Sequence, residues 1–167
     1  PWIGEPVGYI VGESRPQEFT FVSHQDLVPP RLEYLVVPGV EEGGLGAREK
    51  IDVLAQVGRV GIDSSVLSPA LTYEETETIL AGEFTLPPKV LVQARVVGYL
   101  QGGEVRSPRR AAIPGHPIYI ASDGFLGRFF TRDVRAGIPI GGLINRTGVE
   151  VTLDPNGLRR NLAVKAQ

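Results

Sequence analysis

Chemistry in a protein needs groups that move protons, hold metals or cradle phosphates, and this chain carries few of them. His24 and His116 are its only histidines. Both fall beside loops and outside any HExxH spacing, so a zinc site would need carboxylates gathered from distant strands. No GxSxG elbow accompanies them, which leaves a Ser–His–Asp arrangement without support. Glu74, Glu75 and Glu77 are of the right type for paired acid–base work. Their place at the start of a helical pattern suits them instead to a solvated face and to the helix dipole. Gly43, Gly44 and Gly46 imitate a phosphate-cradling loop, but position 49 is Glu and the dinucleotide pattern fails. No Gly-Lys pair occurs anywhere, so GxxxxGK[ST] is absent. Asp154-Pro155-Asn156-Gly157 reads as a tight turn, with Pro presetting φ and Gly accepting a positive one. Arginines remain: Arg109-Arg110 in an extended Pro-rich stretch, and Arg128 and Arg132 one helical turn apart. Planar guanidinium groups suit phosphates or a neighbouring subunit. These four are the candidate contacts; no residue is assigned a catalytic, cofactor-binding or metal-ligating role.

Composition narrows the partners. Seventeen basic residues face nineteen acidic ones for a net charge of −2, so no global positive field gathers nucleic acid. Fourteen of the seventeen basic residues are Arg. Cysteine is absent, which removes disulfides and thiolate metal sites and points to a reducing, cytoplasmic setting. No apolar run approaches a membrane span, and no signal-peptide pattern opens the chain. At 167 residues the length suits one packed domain with a small appendage.

The elements that must position these residues are written mostly in β code. Val7–Glu13 and Glu18–Val22 read as a hairpin across Ser14-Arg15-Pro16-Gln17, with Phe19 and Phe21 on one face. Leu32–Val37 is a third strand that ends at Pro38-Gly39. A polar, Gly-rich loop over Glu41–Lys50 follows, expected to be mobile. Ile51–Ile62 is a long strand in which Gly58 and Gly61 mark bulges or bends. Thr72–Glu83 breaks the pattern as a short inserted helix. Lys89–Leu100 is the clearest strand, with Val90, Val92, Ala94, Val96 and Leu100 on one face and Gln93, Arg95 and Tyr99 on the other. Gly102-Gly103 then turns the chain. About six short-spaced strands with Gly-marked bends predict a small, closed β-barrel.

The expected division is a barrel over 1–106 with a helical insertion near 72–83, a Pro-rich linker over 107–117, and an extension over 118–167. The extension reads strand (Ile118–Ala121), helix (Ser122–Thr131), strands Ile138–Ile144 and Val149–Leu153, a turn, and a strand over Leu158–Val164. Ser122 or Asp123 is placed to cap the helix, whose apolar stripe is Phe125, Leu126, Phe129 and Phe130. The closing strand is of the kind that feeds a phosphate loop, and no loop follows it. The expectation is the front part of a larger ATP-driven machine without its motor.

Several pieces together resemble the N-terminal region of HerA, the hexameric DNA translocase of archaea and some bacteria. They are IGEPVGYIVGESRPQEFTF at the start, VLVQARVVGYL over Val90–Leu100, IPGHPIYIASDGFLGRFF over Ile113–Phe130, GIPIGGL over Gly137–Leu143, and VTLDPNGLRRNLAV over Val151–Val164. The resemblance implies a barrel of the kind HerA shares with rotary ATP synthases, followed by the first strands of a RecA-like ATPase core. It further implies ATP and magnesium for the longer protein and a hexameric ring around double-stranded DNA. It also implies a NurA-like nuclease as partner in processing DNA ends during recombinational repair. The family's catalytic residues lie beyond Gln167, so none carries over. Two other readings stay open. One is a hydrolase using loop Glu and His. The other is a stand-alone oligonucleotide-binding or protein-binding barrel, with Tyr9, Phe19, Phe21, Tyr34 and Tyr99 as candidate stacking residues.

Overall fold

A computed structural model describes residues 1–82, 86–131 and 137–153. The chain is mainly β. Strands β1 (Trp2–Ser14), β2 (Glu18–Ser23), β3 (Tyr34–Gly43), β4 (Arg48–Asp63), β5 (Lys89–Gln101), β6 (Glu104–Arg106) and β7 (Pro117–Ala121) share one antiparallel sheet. Its order is β2-β1-β7-β3-β4-β5-β6, and β2 also pairs with β5. That last pairing closes six strands into a barrel and leaves β6 as an extra strand on β5. Helix α1 (Tyr73–Ala81) lies in the β4–β5 connection. Helix α2 (Asp123–Phe130) follows β7, and β8 (Ile138–Leu143) and β9 (Arg146–Leu153) form a separate hairpin.

Alternation along the strands builds the barrel interior. Phe19 and Phe21 of β2 point inward with Val90, Val92 and Ala94 of β5, and Leu35, Val37, Val53, Ala55 and Val57 complete the layer. Phe21, Leu35 and Val92 are fully buried. Burial of this kind, at about 1.5–3 kcal/mol per large apolar side chain, is what holds a small barrel closed.

The expected boundary at residue 106 is crossed by the sheet. β7 was assigned to the extension, yet it sits between β1 and β3, with Gly8 opposite Ile118 and Leu35 opposite Ile120. β1 and β3 do not pair with each other, so the barrel needs β7 to close. The stretch over 107–116 therefore returns the chain to the barrel instead of leaving it. Ala112 packs on the core, and the Gly115 amide donates to the Ile10 carbonyl at 2.7 Å.

Three local expectations change for related reasons. Glu41–Lys50 is not a free loop: β3 and β4 stay paired out to Gly43 opposite Arg48, leaving only 44–47 between them. Pro38-Gly39 interrupts β3 as a bulge, where the register slips between Val37 and Val40, without ending it. In β5 a second bulge falls at Val97–Gly98, since Leu54 faces Gly98 while Ala55 faces Val96. The extra residue shifts the alternation, and Tyr99 is buried, 7% exposed, beside the cleft it shares with Phe125. Gly98 has φ +148, and a Cβ there would meet the Arg106 carbonyl oxygen at 2.7 Å. Of the two glycines expected to bend β4, Gly58 lies at a register shift and Gly61 does not.

Both helices form where the sequence places them. Thr72 and Glu75 make a reciprocal capping box on α1, yet no residue of α1 is buried. The Ser122 hydroxyl accepts from the Phe125 amide and caps α2. Phe125 and Leu126 seat α2 on Val36, Leu54 and Ala121 on the outside of the barrel, with Val149 of β9. The apolar triplets Leu35-Val36-Val37 and Val53-Leu54-Ala55 are what mark these two strands as buried on both faces. The turn at 154–157 and the strand over 158–164 lie outside the described residues.

Candidate functional site

The arginines singled out from the sequence separate into different tasks. Glu42, at the end of β3, is 2% exposed. Its Oε2 accepts the backbone amides of Arg109 at 2.7 Å and Arg110 at 3.3 Å, and its Oε1 accepts that of Gly43 at 3.0 Å. The Arg110 side chain is occupied by the carbonyls of Gly43 and Gly44. Arg109 keeps a mostly exposed guanidinium, 3.5 Å from Glu42. Burial pushes the Glu42 carboxyl up, but the backbone amides and the Arg109 side chain outweigh it and hold the group below the usual carboxylate range. Arg109 and Arg110 are thus first a latch that pins the Pro-rich return to the β3–β4 hairpin. Arg128 lies on α2, its guanidinium 5.1 Å above the Phe125 ring, beside a cleft of about 260 Å³ shared with Lys50 and Gln101. Arg132 lies outside the described residues.

A further arginine joins distant parts of the chain. Arg146, 16% exposed, donates to Glu33 at 3.1 Å, to Asp123 at 3.0 Å and to the Ala121 carbonyl at 3.2 Å. It ties the β8–β9 hairpin and the start of α2 to the barrel. Only its side-chain geometry reveals this, because its partners are far away in sequence.

The other candidates are structural. His24 Nδ1 accepts from the Asp26 amide and opens a short 3-10 turn over Gln25–Leu27. His116 Nε2 meets the Pro38 carbonyl. Glu75 caps α1 and Glu77 accepts from the Tyr73 hydroxyl. Among the described residues no group of three or more His, Asp or Glu gathers as a metal site. The aromatic platform also fails to assemble: Phe19, Phe21 and Tyr99 are buried and Tyr34 packs on Phe130, leaving Tyr9 exposed.

A broad concavity lies elsewhere, a groove of about 950 Å³ on the outer face of β2, β5 and β4. Its floor follows the register. Glu18 faces Arg95, which faces Gln56; Thr20 faces Gln93, which faces Arg59. Arg31 and Lys89 also line it. Arg15 at one end bonds Glu13 at 3.0 Å and lies 3.6 Å from Glu18. At the rim Leu32 holds φ 70, a costly conformation for a leucine, secured by its amide on the Val57 carbonyl. The β-strand alternation that sends Val90, Val92 and Ala94 inward sends Lys89, Gln93 and Arg95 out into this groove.

No family model matches the chain. Among curated proteins it is similar to the probable helicase MJ1565 of Methanocaldococcus jannaschii, at 29% identity over 97% of this chain. The chain spans 30% of that relative's length. It is a distant relative of a helicase-named protein. Among the described residues no helix is long and apolar enough to cross a membrane.

Proposed function

We propose that this chain is the barrel collar of a HerA-like, ATP-driven DNA translocase. In this reading it joins neighbouring subunits and docks a NurA-like nuclease that works at DNA ends in double-strand-break repair. One observation carries the reading. A closed six-stranded barrel occupies a chain that aligns, over nearly its whole length, with 30% of a probable helicase. ATP and magnesium would then act in the remaining part of a longer protein, which would work as a cytoplasmic hexamer around double-stranded DNA.

Two features support a docking role. The residues singled out for chemistry serve caps and latches. Helix α1, in the β4–β5 connection, leaves Tyr73 73% and Leu80 59% exposed, an acidic and apolar arm suited to a protein partner. Arg109 and Arg128 keep partly free guanidinium groups for a subunit or phosphate contact.

The test is direct. The chain is mixed at micromolar concentration with the NurA-like nuclease of the same genome and sedimented. Co-migration, lost on Tyr73→Ser with Leu80→Ser, is expected. Independent migration of the two proteins would sink the docking role.

A further inference from the structure

We propose that the groove over β2, β5 and β4 binds a single sugar–phosphate backbone, held by Arg31, Arg59, Lys89 and Arg95 without regard to base sequence. This goes beyond the collar reading, which needs only protein contacts.

Charge is the first argument. The groove is lined by five cationic side chains and two carboxylates, in a chain whose overall charge is −2. The local sign therefore opposes the global one. Both carboxylates, Glu13 and Glu18, are engaged by Arg15 at one end. None of the other four cations forms an ion pair or side-chain hydrogen bond among the described residues. Glu18 stands opposite Arg95 and Asp63 opposite Lys89 without closing an ion pair, so positive charge remains in excess in the concavity, and a polyanion laid along it relieves that excess.

Spacing is the second. Lys89 and Arg95 leave the same face of β5 six residues apart, about 20 Å along the strand. That length spans several consecutive phosphates of one strand, within the usual footprint of a small barrel. Arg59 widens the track by one strand, opposite Gln93.

The third argument selects backbone over bases. Phe19, the aromatic residue of the lining, is 3% exposed, so its ring cannot stack on a base. Gln56, Gln93 and Thr20 supply neutral hydrogen-bonding groups on the floor, suited to phosphate and sugar oxygens.

The experiment is fluorescence anisotropy of the chain with labelled oligo-dT and a mixed-sequence strand, each about 12 nucleotides long. Binding at low salt is expected, equal for the two strands within about twofold. Four phosphate contacts on a single strand predict a log–log salt slope of about −3, or about a fiftyfold loss between 50 and 200 mM salt. Arg59→Gln and Arg95→Gln should each weaken both strands alike and flatten the slope by about 0.7. Both test positions are exposed, and circular dichroism checks that the variants fold. The proposal is overturned by three outcomes: no binding at low salt, a slope and affinity unmoved by the two substitutions, or a strong sequence preference. Self-association through the same arginines that excludes the oligonucleotide would overturn it too. Nuclease capture and oligonucleotide binding succeed or fail separately, so neither result decides the other.

Discussion

The Glu42 carboxylate accepts the Arg109 backbone amide at 2.7 Å across 67 positions of sequence. This contact sets how the Pro-rich return crosses the barrel and therefore where β7 enters it. A buried carboxylate that accepts three amides is a strong anchor, because each hydrogen bond is made to a charged acceptor.

Glu42→Ala leaves those amides without their acceptor and is expected to cost about 1–3 kcal/mol, read as a lower urea midpoint. The pH dependence follows from the lowered carboxyl. Its contribution is fully present above the ordinary carboxylate pKa near about 4.3 and is lost as pH falls through the lower folded value. The gap between wild type and Glu42→Gln should therefore be constant from neutral pH down to that range and shrink below it. A gap that widens with acid would contradict the anchor.

Gly8 faces Ser23 of β2 on one side and Ile118 of β7 on the other. A Cβ at this position would come to 2.5 Å from the Phe21 ring and collide with the Val22 carbonyl. Gly8→Ala is expected to destabilise the barrel by about 1–3 kcal/mol. Calorimetry showing an unchanged melting temperature would mean the two strands yield freely there.

Arg146 serves Glu33, Asp123 and the Ala121 carbonyl with one fork. Arg146→Lys cannot reproduce that planar set and is expected to lose most of what Arg146→Gln loses, about 1–3 kcal/mol. A double-mutant cycle with Glu33→Gln should return a coupling above about 0.5 kcal/mol. Additive effects would show that the Glu33–Arg146 pair itself contributes no coupling.

Thr72→Ala removes the cap of a helix that buries nothing. The expected loss of about 1 kcal/mol is local, speeding amide exchange over residues 73–81 about fivefold. The global unfolding midpoint should stay put. A fall in that midpoint would show that α1 is coupled to the barrel.

Much of the barrel was legible in the chain itself. Phe19 and Phe21, or Val90, Val92 and Ala94, alternate at period two, and only one face of such a run can be buried. The cap of α2 was legible too, since Ser122 and Phe125 act within four residues. What tertiary structure alone decided was long-range. β7 became a barrel strand because closure needs a partner between β1 and β3, a fact no local pattern carries. The bulge at Val97–Gly98 left Tyr99 buried because one extra residue reverses every later side chain. The groove cations Arg31, Arg59, Lys89 and Arg95 come from three separate stretches. Sequence sets their charge and, by alternation on β4 and β5, the outward face of Arg59, Lys89 and Arg95; the β4–β5 register sets these near one another, and the Leu32 amide on the Val57 carbonyl brings Arg31 beside them.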